Sequence, residues 1–188
     1  MPRIFFALDL PEQIRENLAQ LQSSIPHASG AVKLVEKENF HLTLLFCGEV
    51  TEATLQQMLQ QAQPVANTFP SFTFGIGGVG VFPSPARPRV FWTGIREGRE
   101  HLMRLATSLS RALGVLPGHA FTPHLTLGRV RQGKSVNSRG FLEQTDFYAG
   151  AFTADRFFCV ESILTRRGPV YTKLKEFMLA GQAAEKCL

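Results

Sequence analysis

No hydrophobic run in this chain of 188 residues is long enough to span a bilayer, because charged or polar residues interrupt every one. Cysteine is scarce as well. Cys47, Cys159 and Cys187 are an odd number at wide spacing, with no Cys-x-x-Cys pair and no Cys/His cluster. That pattern argues against a zinc site and fits free thiols in a reducing compartment. The glycine-rich stretch within Ser71 to Phe82 lacks Gly-Lys-Ser/Thr and leads into no helix, so a bend or bulge in a strand explains it better than a phosphate-binding loop. Near the N-terminus one basic residue, Arg3, precedes an apolar run that Asp9 cuts short, too brief for a signal peptide. The expectation is a cytoplasmic protein with no membrane attachment.

A hydrophobic content of 44% is enough to bury a sizeable core. The formal net charge of +5 and a pI near 9.4 favour an anionic partner, of which nucleic acid is the commonest. The basic residues are dispersed rather than clustered, so charge only supports what the motifs say.

The most informative feature is a repeated tetrapeptide. His41-Leu42-Thr43-Leu44 returns as His124-Leu125-Thr126-Leu127. At average residue usage, a second histidine followed by Leu-Thr-Leu arises by chance on the order of once in several hundred chains. Both copies lie in β-prone surroundings, where side chains at i and i+2 share a face. His41 then projects with Thr43, and His124 with Thr126, while the leucines point into a core. Two imidazoles and two hydroxyls meeting in one volume suit phosphodiester chemistry: a base activates the nucleophile, an acid protonates the departing oxygen, and donors hold the equatorial oxygens. Histidine titrates where one copy can be neutral and the other protonated near neutral pH.

At these residues the chain resembles the 2H phosphoesterase superfamily, and most closely the bacterial RNA 2′,3′-cyclic phosphodiesterases, long called 2′-5′ RNA ligases. Arg3 to Pro11 resembles that family's opening strand and turn. His41 to Val50 is similar to its first motif and Pro123 to Arg129 to its second. A weaker likeness runs through Ser162 to Leu174, at Gly168 and Tyr171-Thr172.

The resemblance implies hydrolysis of RNA 2′,3′-cyclic phosphodiester ends to 2′-phosphomonoesters, with 2′-5′ ligation as the reverse reaction. It implies His41 as proton donor and His124 as proton acceptor, with Thr43, Thr126 and Arg129 on the phosphate and Phe46 on the base. No metal, no cofactor and a monomer are expected. Phe46 and Arg129 each follow their histidine by five residues, and strict strand parity sends both to the opposite face. They reach the site only if the strand bends, which Gly128 would permit for Arg129.

The implied architecture is α+β, a two-lobed LigT-like fold spanning residues 1–188 as one domain. Its antiparallel sheets line a central cleft, helices lie outside, and pseudo-twofold related lobes each lend one motif. Periodicity predicts strands over 3–8, 32–35, the two motifs, 71–82, 89–95, 155–165 and from 170 onward. Helices are predicted from Pro11 to about Ser24, from Thr51 up to Pro64, and from Gly98 to Leu113. The polar stretch Arg131 to Arg139 reads either as a loop gripping RNA phosphates or as an ordinary solvated connection. Arg166, Arg167 and Lys173 face the groove or solvent. His27, His101 and His119 have no partner motif and read as idle, and no local signature supports Cys47 as a nucleophile.

The competing readings are a metal hydrolase, a non-catalytic RNA-binding module, a 2H phosphodiesterase acting on a small cyclic nucleotide, and a pair of buried structural histidines. Neither motif supplies a carboxylate or third histidine in register for a metal. A matched pair of histidines is also poorly explained as structural.

Overall fold

The computed structural model describes residues 1–27, 29–116, 120–165 and 168–181. His119, Arg166, Arg167 and Cys187 lie outside them.

Strand β1 (Arg3–Leu8) leads into α1 (Glu12–Gln22), β2 (Val32–Leu34), a 3-10 turn (Lys37–Asn39) and β3 (Leu42–Glu49). Then follow α2 (Glu52–Thr68), β4 (Phe72–Phe82), β5 (Val90–Glu97), α3 (Arg99–Leu113) and β6 (Leu125–Val130). The short α4 (Arg139–Leu142) precedes β7 (Tyr148–Ala154), β8 (Arg156–Leu164) and β9 (Pro169–Met178).

Two antiparallel sheets result, in the orders β3-β1-β8-β9 and β2-β6-β5-β4-β7. Strand–helix–strand units β1-α1-β3 and β5-α3-β6 occupy matching places, and each supplies one motif strand. The helices cross between the units: α1 packs against β6 and β7, and α3 against β3. Each helix buries one stripe, Ile14, Leu18 and Leu21 in α1 and Leu102, Leu105, Leu109 and Leu113 in α3. One contiguous core takes in residues of both sheets, including Phe6, Leu42, Phe74, Phe91, Leu125 and Phe157. A smaller apolar group, Phe5, Ala7 and Val160 with Phe158 and Tyr171, lies on the other face of the first sheet.

Four features differ from the sequence reading. α2 runs past Pro64 to Thr68. A proline inside a helix costs about 3 kcal/mol, which burial of Ala62, Ala66 and the following Phe69 offsets. β7 carries the run Tyr-Ala-Gly-Ala-Phe-Thr-Ala, which has little intrinsic strand preference. It is held by pairing with β4 and by a Thr73–Thr153 hydroxyl contact of 2.8 Å. α4 is anchored by fully buried Phe141 packed edge-on against Phe91. Just before it, Ser138 is buried, and Val136 packs on the core.

Candidate active site

The motif strands open at Leu42 and Leu125, one residue after each histidine. Each ring is therefore set by the segment that enters its strand. The His41 Nδ1–H donates to the Asn39 carbonyl at 2.8 Å, and the His124 Nδ1–H donates to the Thr122 carbonyl at 2.7 Å. A carbonyl can only accept, so in both rings the proton sits on Nδ1 and Nε2 carries the exchangeable position. Exposed His27 makes the same i−2 bond, to Ile25 at 2.7 Å, which shows that this contact alone does not make a site.

The two rings have matching aromatic seats. Phe5 lies 4.9 Å from the His41 ring and Tyr171 meets it edge-on at 5.1 Å. Phe82 meets the His124 ring edge-on at 5.1 Å, and Trp92 lies 6.3 Å away. These four aromatics were not singled out as site residues from the sequence. Placing Phe5 on the His41 face requires the pairing of β1 with β3, which the chain does not announce locally.

One cavity of about 510 Å³ is lined by His41, Thr43, Phe46, His124, Thr126 and Arg129, within the size range of small-molecule sites. Six side chains drawn from two motifs more than eighty positions apart thus share one wall. Arg3, Phe5, Asn39, Ser162 and Tyr171 also line it, as do Lys33 and Glu36.

Phe46 and Arg129 reach the cavity because both motif strands carry a bulge at the same place. In β3, Ala7 faces Thr43 but Phe6 faces Leu45, leaving Leu44 extra. In β6, Trp92 faces Thr126 but Phe91 faces Gly128, leaving Leu127 extra. An extra residue inverts the alternation, so Phe46 returns to the face of Thr43 and Arg129 to that of Thr126. Gly128 does not supply an unusual backbone angle for this. Its lack of a side chain lets β2 approach, since a Cβ there would stand 3.0 Å from Val32. The bulged Leu127 carbonyl accepts from the Val35 N–H at 2.9 Å and from the Gln22 side-chain amide at 2.8 Å. Gln22 also donates to the Val35 carbonyl.

The turn that carries Asn39 is clamped by Arg15. Its guanidinium donates to the Lys37 carbonyl at 2.9 Å, the Glu38 carbonyl at 3.2 Å and the Leu10 carbonyl at 3.1 Å, and pairs with Asp9. Lys173, from β9, pairs with the same carboxylate. Burial would raise the Asp9 carboxyl, but its bonds from Lys173 and the Leu10 N–H, with the Arg15 charge, outweigh that and lower it.

Both histidines are pushed below their ordinary range, in each case first by burial. The accepting carbonyls of Asn39 and Thr122 act against that shift. The Arg129 charge lowers both, and His41 also feels Arg15, which lowers it, and Asp9, which raises it. Cys47 is a poor nucleophile here, because burial pushes its thiol up to about 12. His101 stacks on Phe72 and lies 3.5 Å from Glu100, and no residue of 131–139 lines the cavity. Among the described residues no three His, Cys, Asp or Glu side chains gather as a metal site, and no helix is long and apolar enough to cross a membrane.

The family model described as LigT like phosphoesterase matches residues 8–92 and 94–171, nearly the whole chain. The chain belongs to this family. Among its relatives, an Archaeoglobus fulgidus protein named RNA 2′,3′-cyclic phosphodiesterase is 38% identical over 178 residues, covering 93% of this chain and 99% of that one. The solved structure of TT0787 from Thermus thermophilus superposes with a TM-score of 0.81 at 30% identity, over 96% of this chain and 99% of that one. Escherichia coli LigT complexed with 3′-AMP superposes with a TM-score of 0.76 at 28% identity, again over 96% and 99%. The two-lobed LigT-like arrangement of antiparallel sheets is therefore shared with structures of this phosphoesterase family.

Proposed function

We propose that this LigT-like phosphoesterase hydrolyses the 2′,3′-cyclic phosphodiester at RNA ends and leaves a 2′-phosphomonoester. The observation that carries the reading is the meeting of both His-Leu-Thr-Leu motifs on one cavity wall, each ring with Nδ1 tied to a backbone carbonyl. Relatives named for that activity support it.

In the reaction His124 Nε2 takes a proton from water, whose oxygen attacks phosphorus. The bond from phosphorus to the 3′-oxygen breaks, and protonated His41 gives its proton to that oxygen, so phosphorus stays on the 2′-oxygen. Thr43, Thr126 and Arg129 donate to the non-bridging oxygens, where negative charge grows. Phe46, 5.7 Å from Phe5, offers the base a stacking surface. The assignment of acid to His41 and base to His124 rests on the family resemblance. With a 5′-hydroxyl in place of water, the same groups open the cyclic phosphate in the same direction. His124 takes the proton of the 5′-hydroxyl, a bond from phosphorus to its oxygen forms, and the bond to the 3′-oxygen breaks. His41 protonates that oxygen, leaving a 2′-5′ linkage.

The chain works as one 2H phosphoesterase domain over residues 1–188, whose lobes each lend a motif. It acts as a metal-independent, cofactor-free cytoplasmic monomer. The test is to incubate it, with excess chelator, with RNA ending in 2′,3′-cyclic phosphate. Conversion to a 2′-phosphate end is expected, and an unchanged end or a 3′-phosphate product would contradict the reading.

A further inference from the structure

Three charged residues of the cavity wall, Arg3, Lys33 and Glu36, are left unused by the proposed chemistry, and Lys33 pairs with Glu36 at 3.9 Å. Arg3 is exposed, lines the cavity, and has no ion pair or side-chain hydrogen bond among the described residues. β1 pairs with β8 without a register shift, so Arg3, Phe5 and Ala7 share the cavity face. Thr43 stands opposite Ala7 and Phe46 opposite Phe5. Arg3 is four positions along β1 from Ala7, about 13 Å at strand rise.

The wall is therefore graded. The hydroxyl and imidazole of Thr43 and His41 come first, the Phe5 and Phe46 rings next, and a second guanidinium last. Ser162, which also lines the cavity, is the register partner of Arg3 on β8, and Tyr171 is the partner of Ser162 on β9. Burial raises the Tyr171 phenol; the Arg129 charge pulls against that, Glu36 adds to it, and Arg3 pulls against it in turn, so this hydroxyl feels both cations. The wall thus offers two places for an anion, one at Arg129 with its β2 register partner Lys33, and one at Arg3.

A nucleoside 2′,3′-cyclic phosphate has one anionic group, whereas the last nucleotide of an RNA chain has two, its cyclic phosphate and the phosphate on its 5′-oxygen. One nucleotide unit plus the length of an arginine side chain covers the separation along β1.

We propose that Arg3, with the Ser162 and Tyr171 hydroxyls beside it, forms a second anion subsite that takes the 5′-phosphate of the terminal nucleotide. This subsite rests on the cyclic phosphodiesterase reading, and it selects chain ends over free nucleoside cyclic phosphates. The guanidinium supplies paired donors that suit a phosphodiester, and the hydroxyls add neutral ones. It positions the substrate and takes no part in proton transfer.

The test compares adenosine 2′,3′-cyclic phosphate carrying a 5′-hydroxyl with the same compound carrying a 5′-phosphate. The wild-type protein is expected to favour the 5′-phosphorylated compound by about 10-fold or more in kcat/KM, the scale of a charge-assisted contact. Arg3→Met should bring that ratio near one, Arg3→Lys should keep part of it, and added salt should shrink the wild-type ratio. Equal kcat/KM for the two compounds in the wild type would overturn the subsite while leaving the hydrolase reading standing. A ratio that survives in Arg3→Met would overturn it too. Turnover of a cyclic-phosphate RNA end but of neither compound would overturn the subsite alone, and turnover of none of the three would overturn the hydrolase reading and the subsite with it.

Discussion

Arg129 is the one side chain whose charge acts on both motif histidines. Its guanidinium lowers the pKa of each, in addition to the larger effect of burial. Replacing it by methionine removes a cation, so both imidazoles should hold their protons to higher pH. One neutral and one protonated imidazole predict a bell-shaped pH profile of kcat/KM, and this profile should move as a whole toward alkaline values in Arg129→Met. The rate at the optimum should fall by about 10- to 100-fold, as expected for losing a charged hydrogen bond to phosphate. A profile that stays in place, or moves to lower pH, would contradict the action of this charge on both rings. Residues of this kind were legible in the sequence to different degrees. His41, Thr43, His124 and Thr126 follow from a short repeat and strand periodicity. Phe5, Phe82, Trp92 and Tyr171 do not, because each seats a histidine through a fold neighbour that no local spacing encodes.

At the scale of elements, the two bulges decide what the site contains. Simple alternation excludes Phe46 and Arg129, and the extra residues Leu44 and Leu127 bring them back. A bulge is a property of the pairing between strands, so neither motif strand shows it when read alone. The second bulge depends on Gln22, a buried amide from α1 that bonds the Leu127 and Val35 carbonyls. Gln22→Leu keeps the volume but leaves those two acceptors with fewer donors, at a cost of about 1–3 kcal/mol. The midpoint of thermal unfolding should fall by about 2–4 °C for each kcal/mol lost, and kcat/KM should fall with it as Arg129 loses its register. An unchanged midpoint would show that the Gln22 bonds add nothing to the bulge. Helices α1, α2 and α3 were readable because their buried stripes recur at helical spacing. β7 and α4 were not, since a small-residue strand and a four-residue helix take their stability from partners distant in the chain.

For the molecule as a whole, the strand–helix–strand units β1-α1-β3 and β5-α3-β6 make two similar halves, and the cavity exists only where they meet. The sequence repeat showed that two motifs were present, but the sheet orders that turn them toward one another are long-range and left no local trace. Each half alone holds a histidine and a threonine, whereas proton transfer in opposite directions at one phosphorus needs both. The most direct measurement is single-turnover hydrolysis of a 2′,3′-cyclic phosphate RNA end by His41→Ala and by His124→Ala, with folding of each variant checked by its unfolding midpoint. Each substitution should slow the reaction by roughly 100- to 10,000-fold while the midpoint stays close to the wild-type value. A near-wild-type rate in either correctly folded variant would contradict an acid and a base acting across one ester.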